Sequence, residues 1–140
     1  MNPDLEHFVH AFADAWSRPD LDRFTALWHP EIRLTAPLAG TTVGHPASRE
    51  AFRRTLELLP DMKGEVTRWS GSDDLVFIEW TASATYAGES VSWPVVDRWL
   101  LADGLGLERV AYFDSLPLVR LVARHPAWWA RWWRSGLRPR

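Results

Sequence analysis

The sequence predicts an α+β fold: a curved, mainly antiparallel sheet covered by three helices from the N-terminal half, followed by a helical tail. Three observations carry this. Apolar residues recur at helical spacing in three early segments; the period changes to two after Pro60; and the later segments are joined by short Gly-containing turns, which imply a meander. The chain has 140 residues, 46% hydrophobic and 24% charged, which suits a single domain able to bury a core.

The elements follow in order. Leu5, Phe8, Val9, Phe12, Ala13 and Trp16 share one helical face, with His7, His10 and Asp14 opposite, so a helix ends near Ser17-Arg18. Pro19 suits the first turn of a second helix that buries Leu21, Phe24, Leu27 and Trp28 and stops at His29-Pro30. Ile32, Leu34, Ala36 and Leu38 alternate with Arg33, Thr35 and Pro37, a strand pattern, and Ala39-Gly40 turns it into a short strand at Thr41–Val43. His45-Pro46 opens a third helix through Ala51, Phe52, Thr55, Leu56 and Leu59, stopped by Pro60. Residues 63–70, 74–86, 91–101 and 107–115 read as four strands, with turns at Gly71-Ser72-Asp73, Ala87-Gly88-Glu89 and Asp103-Gly104. The tail is helical from Leu118 to Ala123, broken at His125-Pro126, and helical again from Ala127 to Arg134, with Gly136 to Arg140 predicted to fray. Three helices over a bent sheet leave a conical hollow between the two layers.

Charge divides the chain into residues 1–117, net −8, and 118–140, net +6, in which Arg120, Arg124, Arg131, Arg134, Arg138 and Arg140 meet no acid. The overall −2 gives no field that draws in nucleic acid, and the zero cysteine count excludes disulfides and thiol chemistry. Neither a signal peptide nor an apolar run of spanning length is visible, so a cytoplasmic protein is the expectation. No HExxH, His-x-His, glycine-rich phosphate loop or GxSxG elbow occurs, and no cofactor or metal is expected.

The strand 91–101 carries the chemistry. One face reads Val91, Trp93, Val95, Asp97, Trp99, Leu101: apolar and aromatic with one carboxylate in its middle. Desolvation there raises a carboxyl pKa, and a neutral acid donates a hydrogen bond while a poised carboxylate takes a proton. The structural alternative is that Asp97 anchors a turn or pairs with an Arg from a helix. In the last strand Val110, Tyr112 and Asp114 share a face; placed inward, Asp114 joins Asp97 and divides acid and base roles with it, whereas its structural alternative is a cap for the tail helix. On residues 74–86, Val76, Ile78, Trp80, Ala82, Ala84 and Tyr86 share the inward face, and the small Ala82 and Ala84 leave space. The other face, with Leu75, Phe77 and Glu79, suits packing against a second subunit. Trp128, Trp129, Trp132 and Trp133 span about 140° of a helix at about 100° per residue. Such a face either docks on the acidic body, lids the hollow, or anchors to an anionic membrane surface.

Four segments, taken in order, carry a family resemblance: Trp28-His29-Pro30-Glu31-Ile32-Arg33-Leu34, Gly44-His45-Pro46-Ala47-Ser48-Arg49-Glu50-Ala51-Phe52, Val95-Val96-Asp97-Arg98-Trp99 and Ala111-Tyr112-Phe113-Asp114. Together they resemble the nuclear transport factor 2-like superfamily in its SnoaL-like branch, over about residues 5–117. The resemblance implies a conical α+β barrel, usually dimeric, with a deep apolar pocket, in a group that includes ketosteroid isomerase, polyketide cyclases, scytalone dehydratase, limonene epoxide hydrolase and many non-enzymes. By resemblance Asp97 corresponds to an oxyanion-hole acid or cyclase acid/base, and Asp114 to the last carboxylate of the epoxide hydrolase triad. The chain departs from these patterns at Ala36-Pro37, where the isomerase has its Asp-Pro base, and at Phe12, where it has a tyrosine. Trp80 and Ala82 replace the Arg and Asp of the hydrolase triad.

The sequence therefore predicts a cofactor-independent enzyme (isomerase, cyclase, dehydratase or epoxide hydrolase type) acting on a small hydrophobic molecule. Asp97, Asp114 and Tyr112 are its candidate catalytic groups. Phe12, Trp16, Trp28, Ala36, Trp80, Ala82, Tyr86, Trp93, Val95 and Trp99 are its candidate pocket wall. A homodimer is expected. The alternatives are a non-catalytic binder of a lipophilic ligand, and a peripheral membrane protein acting through the tail tryptophans.

Overall fold

The structure is a computed structural model that describes residues 2–139. Helix α1 (Pro3–Ser17) begins where the Asn2 side chain accepts the Asp4 N–H, and it buries Leu5, Phe8, Val9, Phe12, Ala15 and Trp16. Helix α2 (Leu21–Thr25) is a single turn capped by Asp20, which accepts the Asp22 N–H at 2.8 Å. The second helix thus starts after Pro19 and ends earlier than its apolar pattern predicts. Trp28, His29 and Pro30 belong instead to strand β1 (Trp28–Ala36), and Trp28 pairs with Gly106. Strand β2 (Gly40–Val43) and helix α3 (His45–Leu58) follow, then β3 (Lys63–Ser72), β4 (Leu75–Tyr86), β5 (Glu89–Ala102) and β6 (Leu105–Tyr112). Helix α4 (Leu116–Ala123), a 3-10 turn (Pro126–Trp128) and helix α5 (Trp129–Ser135) complete the described chain.

The strands form one six-stranded sheet in the order β2-β1-β6-β5-β4-β3. Pairing is antiparallel except between β1 and β6, which run parallel. The sheet is mixed and open, so the conical barrel expected from the resemblance is not formed. A closed barrel needs its first and last strands to pair. Here β2 has four residues and pairs only with β1, while β3 pairs only with β4. Helices occupy the space between these edges: α1 packs over β3 and β4, and α3 over β1 and β2.

Two hairpin turns set the register of the meander. Ala87-Gly88 and Asp103-Gly104 each place two consecutive residues at positive φ, the geometry whose twist matches the flanking strands. Period-two alternation then directs Val76, Ile78, Trp80, Ala82, Ala84 and Tyr86 from β4, and Trp93, Val95, Trp99 and Leu101 from β5, into one core with α1. The tail joins that core through Leu121, Trp128, Trp132 and Leu137. Its end is not frayed over the described residues: the Arg138 N–H donates to the Leu38 carbonyl at 2.9 Å. Arg140 lies outside them.

Two glycines allow the central indoles to lie flat across the sheet. A Cβ on Gly64 of β3 would stand 2.6 Å from the Trp80 ring and 3.2 Å from Trp16 Cβ, and one on Gly106 of β6 would enter the Trp99 ring. Substituting Gly64→Ala should therefore overpack the core and lower stability by about 1–3 kcal/mol, read as a reduced urea midpoint with unchanged slope.

Candidate functional site

Asp97 lies in the middle of β5, opposite Ile78 of β4 and Ala111 of β6, and it is fully buried. Its neighbours on the same strand face, Trp99 and Val95, are also buried. The α1 stripe holds the two nearby indoles. Phe8 meets Trp99 edge-on at 4.9 Å, Phe12 meets Trp80 at 5.8 Å and Trp99 at 6.3 Å, and Trp16 packs on Trp80 at 4.5 Å. Residues 8, 12 and 16 lie four apart, so one helix face clamps both rings.

The indole N–H groups of Trp80 and Trp99 lie close enough to Asp97 to draw its pKa down, but neither forms a well-aligned hydrogen bond to it. Both carboxyl oxygens stay unbonded, as do Trp80 Nε1 and Trp99 Nε1. Burial dominates, and it holds the Asp97 carboxyl above its ordinary 3.8 against the opposing pull of Arg109 and the two indoles.

Arg109 is the residue that sequence reasoning missed. It is 8% exposed, its Nε lacks a partner, and burial pushes its pKa down while Asp97 pushes it up. The two charges do not meet in an ion pair. Arg109 owes its inward direction to a bulge. The Asp103-Gly104 hairpin pairs Ala102 with Leu105 and Leu101 with Gly106, but one residue is then inserted, so that Leu100 pairs with Glu108 and Asp97 with Ala111. Without the insertion Asp97 would face Val110, and Tyr112 would share its side of the sheet. With it, Arg109 and Ala111 point inward, and Tyr112 is 52% exposed on the outer face. The one signal available in sequence is Gly106, a glycine inside a strand pattern, which often marks a bulge.

Asp114 is exposed and accepts the Leu116 N–H at 3.0 Å, at the start of α4. Neither it nor Tyr112 borders the cavity described next.

That cavity has a volume of about 140 Å³ and is bordered by the inner sheet face, α1, α3, the β1–β2 turn and the tail. Of the residues expected to form a pocket wall, Trp16, Ala36, Trp80, Tyr86, Trp93 and Val95 line it, as does the catalytic candidate Asp97. Phe12, Trp28, Ala82 and Trp99 are buried in the surrounding core without lining it. Among the described residues, Asp97, Arg109 and Tyr86 are the only ionisable groups in the lining. Leu118, Leu121, Val122, Trp132 and Leu137 form its tail-side wall.

The tail is tied down at its bend. Glu89 bonds Arg124 at 2.5 Å and His125 at 2.8 Å, and Trp128 packs on Tyr86 at 5.3 Å. The four tail tryptophans do not share one environment: Trp128 and Trp132 pack inward, while Trp129 and Trp133 are 50% and 63% exposed. No helix among the described residues is long and apolar enough to cross a membrane, and no cluster there suits a metal ion.

Comparison with known proteins agrees with this architecture. The SnoaL-like domain family matches residues 9–108, and the chain belongs to that family. Solved structures share the fold. TerC, co-crystallized with polyporic acid, superposes with a TM-score of 0.77 at 20% identity, over 87% of this chain and 99% of its own. A nuclear transport factor 2-like protein of unknown function from Burkholderia pseudomallei gives 0.76 at 23% identity, over 87% and 98%. TsrD from Streptomyces laurentii gives 0.70 at 22% identity, over 86% and 95%. No curated protein matches the chain in sequence.

The raised Asp97 pKa has a consequence for stability. The folded protein holds this proton to higher pH than the unfolded chain does, so the contribution of Asp97 is fully present below 3.8 and is lost as pH rises through the folded value. Asp97→Asn cannot lose a proton. The stability of the variant relative to the native protein should therefore shift in the variant's favour as pH rises above 3.8, measured by urea unfolding at a series of pH values.

Proposed function

We propose that this chain is a cofactor-independent enzyme that moves a proton on a small hydrophobic molecule held in the Asp97 cavity. One observation carries the reading: the five buried side-chain polar atoms left without partners among the described residues all belong to Trp80, Asp97, Trp99 and Arg109. Each such atom costs about 1–3 kcal/mol when nothing bonds it. A buried carboxyl, the two indoles beside it and an arginine of the same cavity, each with a polar atom left without an aligned partner, suit a guest better than they suit the fold.

The chemistry follows from burial. A carboxyl whose pKa is lifted by desolvation keeps its proton into the range where an exposed Asp has lost it, and it donates that proton to a substrate oxygen as negative charge develops there. The indole N–H groups and the guanidinium are fixed donors that stabilise the same charge in a dry cavity. As the substrate oxygen takes the Asp97 proton, the proton at the neighbouring carbon passes to a water admitted with the substrate, since the lining holds no second carboxylate among the described residues; the reverse steps return both protons. Isomerisation, cyclisation, dehydration and epoxide opening all use such a step, and membership of the SnoaL-like family supports this range.

A second reading has one observation in its favour. Asp97 is the only carboxylate in the lining, so a partner acid or base is missing from the cavity, as suits a binder of a lipophilic ligand.

Deuterium exchange at the carbon beside the carbonyl of compact cyclic ketones, followed by NMR without added cofactor, separates the two. The native protein should accelerate exchange, and Asp97→Asn should slow it by on the order of 10²–10⁴ while keeping the native circular dichroism spectrum. Undiminished exchange in the variant removes Asp97 from the chemistry, and no acceleration by the native protein favours the binder.

A further inference from the structure

We propose that the cavity selects a single-ring molecule bearing an anionic oxygen head group, a carboxylate in the simplest case, and that Arg109 is the residue that receives it. The inference rests on the cavity being the ligand site, as above, but not on turnover.

The first argument is charge. A guanidinium stays protonated in proteins, so Arg109 carries a full positive charge among apolar walls. Its Nε has no acceptor, no ion pair reaches it, and the ring of Phe52 lies 5.9 Å beneath the guanidinium carbon. Buried charges are ordinarily paired. Asp97 is near enough to be felt but no ion pair joins the two, and Arg109 Nε and both Asp97 oxygens are left without partners in residues that line the same cavity.

Donor count gives the second argument. Trp80 Nε1 and Arg109 Nε can only donate, and Trp99 Nε1, beside the carboxyl though outside the lining, can only donate as well. These three side chains offer donors only, and a head group with several lone pairs and no protons satisfies them. An amine or a guanidinium in the same place would leave them all unbonded.

Size fixes the remainder. The cavity of about 140 Å³ is close to the ~150 Å³ apolar cavity known to admit one benzene ring. Its walls beyond Asp97 and Arg109 are largely aliphatic and aromatic, with Phe52, Leu56, Val95 and Phe113 among them. A fused polycyclic molecule exceeds this volume. Arg109 is thus a specificity-determining residue: it distinguishes an acid from its neutral isostere, whereas the apolar walls distinguish ring size.

The test is calorimetric titration of the full chain at neutral pH with benzoate, its neutral counterpart benzamide, and toluene. Native protein should bind benzoate at least tenfold more tightly than benzamide. Arg109→Met, which keeps side-chain length and removes the charge, should lose that preference while still binding toluene. Arg109→Lys should retain part of it, which separates loss of charge from loss of fold. If native protein binds toluene but does not prefer benzoate to benzamide, or if Arg109→Met keeps the preference, the assignment of Arg109 is overturned and the cavity remains a ligand site. If none of the three compounds binds native protein, the cavity is not a ligand site and both readings fall.

Discussion

Asp97 lies fully buried between Ile78 and Ala111 with both carboxyl oxygens unbonded, and the rest of the inner sheet face is organised around it. Removing an ionisable group from water without pairing it is among the most expensive things a fold does. The surroundings do little to reduce that cost. Trp80 and Trp99 bring N–H groups near the carboxyl without bonding it, and Arg109 brings a charge that does not reach it. Phe8, Phe12 and Trp16 of α1 pack against both rings. Gly64 and Gly106 make the same arrangement possible from the other side by giving each indole a bare backbone to lie on.

Asp97, Trp80 and Arg109 border an apolar cavity, an environment in which fixed dipoles act more strongly than in water. The tail contributes the last wall. Its bend is fastened to the start of β5 through Glu89, and its end is fastened to Leu38 through the Arg138 N–H, so the basic segment that looked separate in the charge pattern packs over the cavity.

How much of this was legible in sequence depended on whether a local pattern or a long-range register decided it. The α1 stripe and the inward faces of β4 and β5 followed from periodicity alone, and they place Trp80, Asp97 and Trp99 together. Trp28 did not follow, because its apolar character suits the end of a helix as well as the start of a strand, and pairing with Gly106 decided between them. Barrel closure was not legible either, since it depends on whether β2 and β3 meet across the molecule. The largest gap is β6. An ideal two-residue hairpin would carry Tyr112 to the same side as Asp97. One inserted residue exchanges the faces, sends Tyr112 outward and Arg109 inward, and so puts Asp97 and an unpaired Arg109 on the inner face in place of the expected Asp–Tyr–Asp site. Sequence analysis put no chemistry on Arg109, because only the inserted residue turns it inward.

The ionisation of Asp97 decides between a vacant site and a completed one, and carbon-13 NMR of its side-chain carboxyl, titrated in the ligand-free protein, reads it directly. The midpoint should lie above the ordinary carboxylate value of 3.8, because burial outweighs the pull of Arg109 and the two indoles. A midpoint at or below 3.8 would show that Arg109 and the indoles already satisfy the carboxylate, and that the site is a completed structural network with no vacancy for a ligand.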